Sequence, residues 1–148
     1  MTLPNQATKV LIGEDDDDDY LIFSLALEET SYKVLLTRAT DGKMVLSQLE
    51  LEMPDILFLD LNLPAIEGRQ CLKEIRANRK YDALPIIIYT SYDDLTSIDY
   101  CYREGSNLYV LKPSTVGDLK HILDRILSID WNRIKYFPPK SDFVIRSA

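Results

Sequence analysis

The chain predicts a parallel α/β sheet covered by helices on both faces, and three observations carry that prediction. Short apolar runs recur at 8–13 (TKVLIG), 33–37 (KVLLT), 56–60 (ILFLD), 86–90 (IIIYT) and 107–111 (NLYVL). Between them lie segments whose apolar residues suit helices packed against a sheet. The run ILFLD has unbroken hydrophobicity, as expected of a central parallel strand buried on both faces. Five βα units in succession make such a sheet.

Each element has its own warrant. After the first strand comes the acidic run Glu14 to Asp19, then a helix from Tyr20 to Glu29 with apolar residues on most faces. Asp41-Gly42 is a turn signal after the second strand, and 43–50 reads as a helix through Met44, Val45, Leu46 and Leu49. Pro54-Asp55 opens the third strand. A helix follows Pro64, over about 67–78, and Pro85 opens the fourth strand. Asp93-Asp94 offers a cap for a helix ending near Gly105. Ser114-Thr115 caps a last helix through about Leu127, with Val116, Leu119, Ile122, Leu123, Ile126 and Leu127 as its stripe.

Composition narrows the function classes. A chain of 148 residues fits one domain, predicted over 1–127. Net charge is -7, of which 14–19 supply six negative charges, leaving -1 elsewhere. With no basic stripe, nucleic acid is not an expected partner. Cys71 and Cys101 fall in predicted helices and read as reduced thiols. MTLPNQATK has no apolar leader, and no apolar stretch approaches ~18 residues, so neither export nor membrane insertion is expected and the cytoplasm is the predicted location. The segment 128–148 lies outside the βα pattern. Trp131, Tyr136, Phe137 and Phe143 make it apolar enough to pack in part, as an extension with no separate domain and no room for a DNA-binding or enzymatic output module.

The chemistry collects at strand ends. In parallel α/β sheets ligands bind outside the carboxyl ends of the strands. There the sequence places Glu14-Asp15, Asp60, Thr90 and Lys112: acid-acid, acid, hydroxyl and lysine. Singly, each is the ordinary polar end of a strand; together they suit a divalent cation and a phosphoryl group. Mg²⁺ (or Mn²⁺) takes oxygen ligands and keeps several waters, so two or three carboxylates hold it. Asp60 can attack phosphorus to give an acyl phosphate, while Lys112 and the Thr90 hydroxyl bind the phosphoryl oxygens. Most of Asp17, Asp18 and Asp19 are expected to be solvated.

At these residues the chain resembles the receiver domains of two-component response regulators, the family containing the chemotaxis protein CheY. The matching text is VLIGEDD, PDILFLDLNLPAIEG, LPIIIYTS and GSNLYVLKP, with Thr90 30 residues after Asp60 and Lys112 22 after Thr90. The resemblance implies a flavodoxin-like (CheY-like) five-stranded parallel sheet of order 2-1-3-4-5, with helices on both faces. It implies Asp60 as phospho-acceptor, Glu14 and Asp15 as the acidic metal pair, and the backbone carbonyl of Asn62 as a further ligand. Thr90 and Tyr109 correspond to the switch pair and Lys112 to the phosphate-binding lysine. Pro64 and Gly68 match the turn after the acceptor strand, and Lys112-Pro113 would be joined by a cis peptide.

By that resemblance the chain is a stand-alone receiver. It takes a phosphoryl group from a histidine kinase or histidine phosphotransfer protein and signals to a downstream protein, with homodimerisation left open. It is not an enzyme beyond its own phosphorylation and dephosphorylation. The alternative is a pseudo-receiver that binds partners without phosphorylation. The tail also resembles extensions of single-domain regulators of phytochrome-like or hybrid kinases. Departures are Gly13, where a larger apolar residue is usual and a looser strand end is expected; Asp16, which by a one-residue slip could replace Glu14 in the acidic pair; and Tyr92, whose ring is placed to shield an acyl phosphate from water. Two enzyme readings fail on motif: there is no GxxxxGK[ST] loop for a nucleotide, and Asn62 stands where a haloacid-dehalogenase phosphatase needs a second Asp. His121, on the last helix, reads as a surface residue.

Overall fold

A computed structural model describes residues 6–133 and 136–147. The first five residues of the N-terminal stretch, and tail positions 134, 135 and 148, lie outside the described residues. The elements run β1 (Thr8–Gly13), α1 (Asp17–Glu29), β2 (Val34–Ala39), α2 (Gly42–Leu51), β3 (Ile56–Leu59), α3 (Gly68–Ala77), β4 (Ile86–Thr90), α4 (Leu95–Arg103), β5 (Leu108–Leu111), α5 (Val116–Leu127), α6 (Lys140–Phe143) and β6 (Val144–Ile145). A single 3-10 turn, Arg79–Tyr81, joins α3 to β4.

All strands pair in parallel, in the order β2-β1-β3-β4-β5-β6. The expected five-strand order is present, with one strand added: β6 comes from the tail and lies on the outer edge of β5. Alternation along the strands divides the core. Leu11, Leu57, Leu59, Ile86, Ile88 and Tyr109 face α2, α3 and α4. Val10, Ile12, Phe58, Ile87, Tyr89 and Val110 face α1 and α5.

Helix starts follow capping chemistry, in which a side-chain oxygen accepts an otherwise unpaired N–H of the first turn. Asp16 caps α1, Asp41 α2, Asp94 α4 and Thr115 α5. Because Asp16 is the cap, α1 begins at Asp17 rather than Tyr20. Its first turn carries Asp17, Asp18 and Asp19, where negative charge is favoured by the helix dipole.

Gly13 corrects an expectation. It does not loosen the end of β1: it pairs with Ala39 and Leu59, and its carbonyl accepts from Asp60 N at 3.0 Å. A Cβ there would stand 2.8 Å from Val45 Cγ2 and 3.2 Å from Leu59 Cδ1. The glycine is what lets α2 close onto the sheet beside the site.

Candidate functional site

Strand register assembles the site. Gly13 stands beside Leu59, so Glu14 and Asp60 leave the sheet as neighbours, and Thr90 pairs with Leu111, which sets Lys112 beside them. Glu14, Asp15 and Asp60 each offer a carboxylate oxygen, all within 4.8 Å of one another. Asp16 is occupied as a helix cap, accepting from Asp19 N at 2.9 Å. Lys112 Nζ reaches Glu14 Oε1 at 2.7 Å, Asp19 Oδ2 at 2.8 Å and Asp60 Oδ2 at 2.9 Å.

The groups line one open cavity of about 170 Å³, with Asn62, Thr90, Ser91 and Tyr92 completing its wall. Asn62 N donates to Asp60 Oδ1 at 3.2 Å, fixing the carboxylate from the turn side. Thr90 is buried; its Oγ1 accepts from Tyr92 N at 3.3 Å and its carbonyl from Lys112 N at 2.9 Å. Tyr109 is fully buried and its hydroxyl donates to the Tyr92 carbonyl at 2.5 Å. Pro64 accepts from Gly42 N at 3.1 Å. Gly68 passes so close to the acceptor strand that a Cβ would lie 2.1 Å from the Asp60 carbonyl oxygen.

Burial sets the electrostatics. It pushes the Glu14 carboxyl above the usual carboxylate range, and Lys112 pulls the other way. At Lys112, burial disfavours the ammonium, but hydrogen bonds to Asp19, Glu14 and Asp60 outweigh it and the net shift is upward. The cluster has more carboxylates than cations. A divalent ion with a preference for hard oxygen therefore fits the Glu14, Asp15 and Asp60 donor set.

The family model for the response regulator receiver domain matches residues 10–124. The chain belongs to the response regulator receiver family. It is 26% identical over 132 residues to a probable methanogenesis regulatory protein, FilR2, of Methanothrix harundinacea, covering 84% of this chain and 85% of that one. It is 35% identical over 123 residues to the response regulator ArlR of Staphylococcus saprophyticus, covering 80% of this chain but half of ArlR. Of the DNA-binding regulator NtrC of Klebsiella pneumoniae it spans 24%. In structure the receiver resembles the Mn²⁺-bound response regulator Rcp1 (TM-score 0.75, 24% identical, 89% and 99% covered). It also resembles the phosphorylated cyanobacterial phytochrome response regulator RcpA (TM-score 0.77, 24% identical, 90% and 100% covered).

One residue-level expectation is corrected. There is no cis peptide among the described residues, so Lys112–Pro113 is trans. An X–Pro amide prefers trans by about 0.5–1 kcal/mol unless its surroundings demand otherwise, and the trans form already delivers Lys112 to all three carboxylates.

Sequence reasoning missed two residues of the receiver's site. Asp19, in a run expected to be mostly solvated, pairs with Lys112 at 2.8 Å; its place three residues after the helix cap is the signal that could have turned it toward the strand ends. Arg38, on β2, donates through Nε to the Glu14 carbonyl at 2.9 Å, pairs with Asp17 at 2.9 Å, and lies 4.6 Å over the Tyr20 ring. Nothing local marks Arg38, because only the parallel pairing of β1 and β2 brings it to the acidic loop.

Proposed function

We propose that this receiver accepts a phosphoryl group on Asp60 from a histidine kinase or histidine phosphotransfer protein and passes that state to a protein partner. The observation that carries the reading is the Asp60 carboxylate, 4% exposed at the floor of the cavity, with Lys112 Nζ 2.9 Å from one of its oxygens. An Asp60 oxygen forms the new bond to phosphorus while the phosphorus–nitrogen bond of phosphohistidine breaks, its electron pair staying on the imidazole. Lys112 neutralises a phosphoryl oxygen, and the Thr90 hydroxyl turns from Tyr92 N to donate to another. Glu14, Asp15, Asp60 and the Asn62 carbonyl would hold Mg²⁺, which when bound supplies charge neutralisation for the equatorial oxygens. Water attack on phosphorus later returns Asp60 to its carboxylate and releases inorganic phosphate.

Phosphorylation adds about two negative charges at a site already rich in carboxylates. Thr90 is drawn to the phosphoryl group, and Tyr109 answers behind it, so the α4–β5 face carries the output. The test is intact-protein mass after incubation with Mg²⁺ and a small acyl phosphate donor. Wild type gains one phosphoryl mass; Asp60→Asn and a Mg²⁺-free sample do not. No gain in wild type, where a control receiver is modified, refutes the reading.

A further inference from the structure

After α5 the chain returns to the sheet and covers its open edge. Asn107 Nδ2, just before β5, donates to the Tyr136 carbonyl at 2.8 Å, and Pro138 beyond it is buried. Lys140 pairs with Asp99 of α4. Phe143 then enters the core with no exposed surface, its ring centroid 5.1 Å from that of Tyr102 and 6.0 Å from that of Tyr109. Val144 and Ile145 continue as β6, opposite Tyr109 and Val110.

Tyr109 sits directly behind this segment. Its hydroxyl is held by the Tyr92 carbonyl in the loop after Thr90, and its ring packs on the α4 side of the sheet. An outward swing of the ring would take it past the free edge of β5, the strip that Phe143 and β6 fill. Close-packed interiors pass between discrete arrangements and do not deform smoothly. Phe143 fills the space beside the Tyr109 ring, and neither side chain has exposed surface.

We propose that residues 136–146 are the resident occupant of the α4–β5 face, and that seating Phe143 and holding Tyr109 inward are one equilibrium. The face accepts an extended segment added to a sheet edge, with an aromatic anchor set beside Tyr102 and Tyr109 and a cation for Asp99. Its link to phosphorylation rests on the reading of Asp60 as acceptor and of Thr90 and Tyr109 as the switch. Whatever draws Tyr109 inward tightens the tail, and the tail favours the phosphorylated arrangement by the same factor. Phosphorylation then closes this edge, and a partner that uses it must displace the tail.

Two measurements on the full chain test this. The first is nitration by tetranitromethane, mapped by mass spectrometry. Tyr109 is expected to be protected in wild type and in Phe143→Leu, and to react at least about fivefold faster in Phe143→Ala, with buried Tyr81 protected throughout as the folding control. Protection of Tyr109 in a folded Phe143→Ala overturns the shared equilibrium, whatever happens at Asp60. The second is tryptic cleavage after Lys140, expected to slow about fivefold or more in protein whose phosphoryl mass has been verified. An unchanged rate in that protein overturns the coupling to Asp60. Absence of the phosphoryl mass is instead a failure of the acceptor reading, and the nitration result still decides the tail's hold on Tyr109.

Discussion

Lys112 Nζ lies 2.7 Å from Glu14 Oε1, with the lysine side chain 9% exposed and the glutamate fully buried. Two charges withdrawn from water are tolerable as a pair and costly apart. Lys112 also answers Asp19 and Asp60, so one ammonium offsets three carboxylates.

Lys112→Met should therefore destabilise the metal-free protein by about 3 kcal/mol, the usual scale for removing one partner of a buried ion pair. Mg²⁺ should return a large part of the loss, since a cation bound only by the folded state stabilises it by mass action. Urea unfolding in EDTA and in Mg²⁺ measures both. Unchanged stability in EDTA would mean that the carboxylates do not depend on this lysine.

Gly13→Ala should cost about 1–3 kcal/mol, because the new methyl meets Val45 Cγ2 at 2.8 Å in a packed interior. The double variant with Val45→Ala should recover part of that loss. A single variant as stable as wild type would show that α2 can retreat at no cost.

Tyr92 lines the cavity and is 42% exposed. With Asp60 as the acceptor, a ring in this place would slow the approach of water to the acyl phosphate, so Tyr92→Ala should shorten the phosphoryl lifetime severalfold. The decay of the phosphorylated mass in Mg²⁺ buffer, after the phosphodonor has been removed by desalting, reads this directly. Equal lifetimes would remove Tyr92 from the account of dephosphorylation.

Cys71 and Cys101 are buried, and burial pushes each thiol up to about 12. Since the thiolate is the reactive form, at pH 8 its fraction is about a thousandfold below that of a free cysteine with a pKa near 9. Iodoacetamide should leave the native protein unmodified and add two labels in denaturant. Rapid labelling of the native chain would show that α3 or α4 opens readily.

The succession of acid pair, acid, hydroxyl and lysine at the ends of the apolar runs is legible in the residues alone. A buried parallel strand is a continuous apolar run, and the first polar residue after it must lie at the sheet's end. Glu14, Asp60, Thr90 and Lys112 were legible for that reason. Tertiary structure alone decided what depends on register between distant segments. It brought Arg38 to the Glu14 carbonyl, turned Asp19 toward Lys112, and set the Arg76 guanidinium against the carbonyls of Gly105, Tyr81 and Leu84 at 2.8 Å each. It also placed Phe143 against Tyr109: two residues of β6 carry too short a pattern to read as a strand, and the free edge of β5 supplies their hydrogen-bond partners.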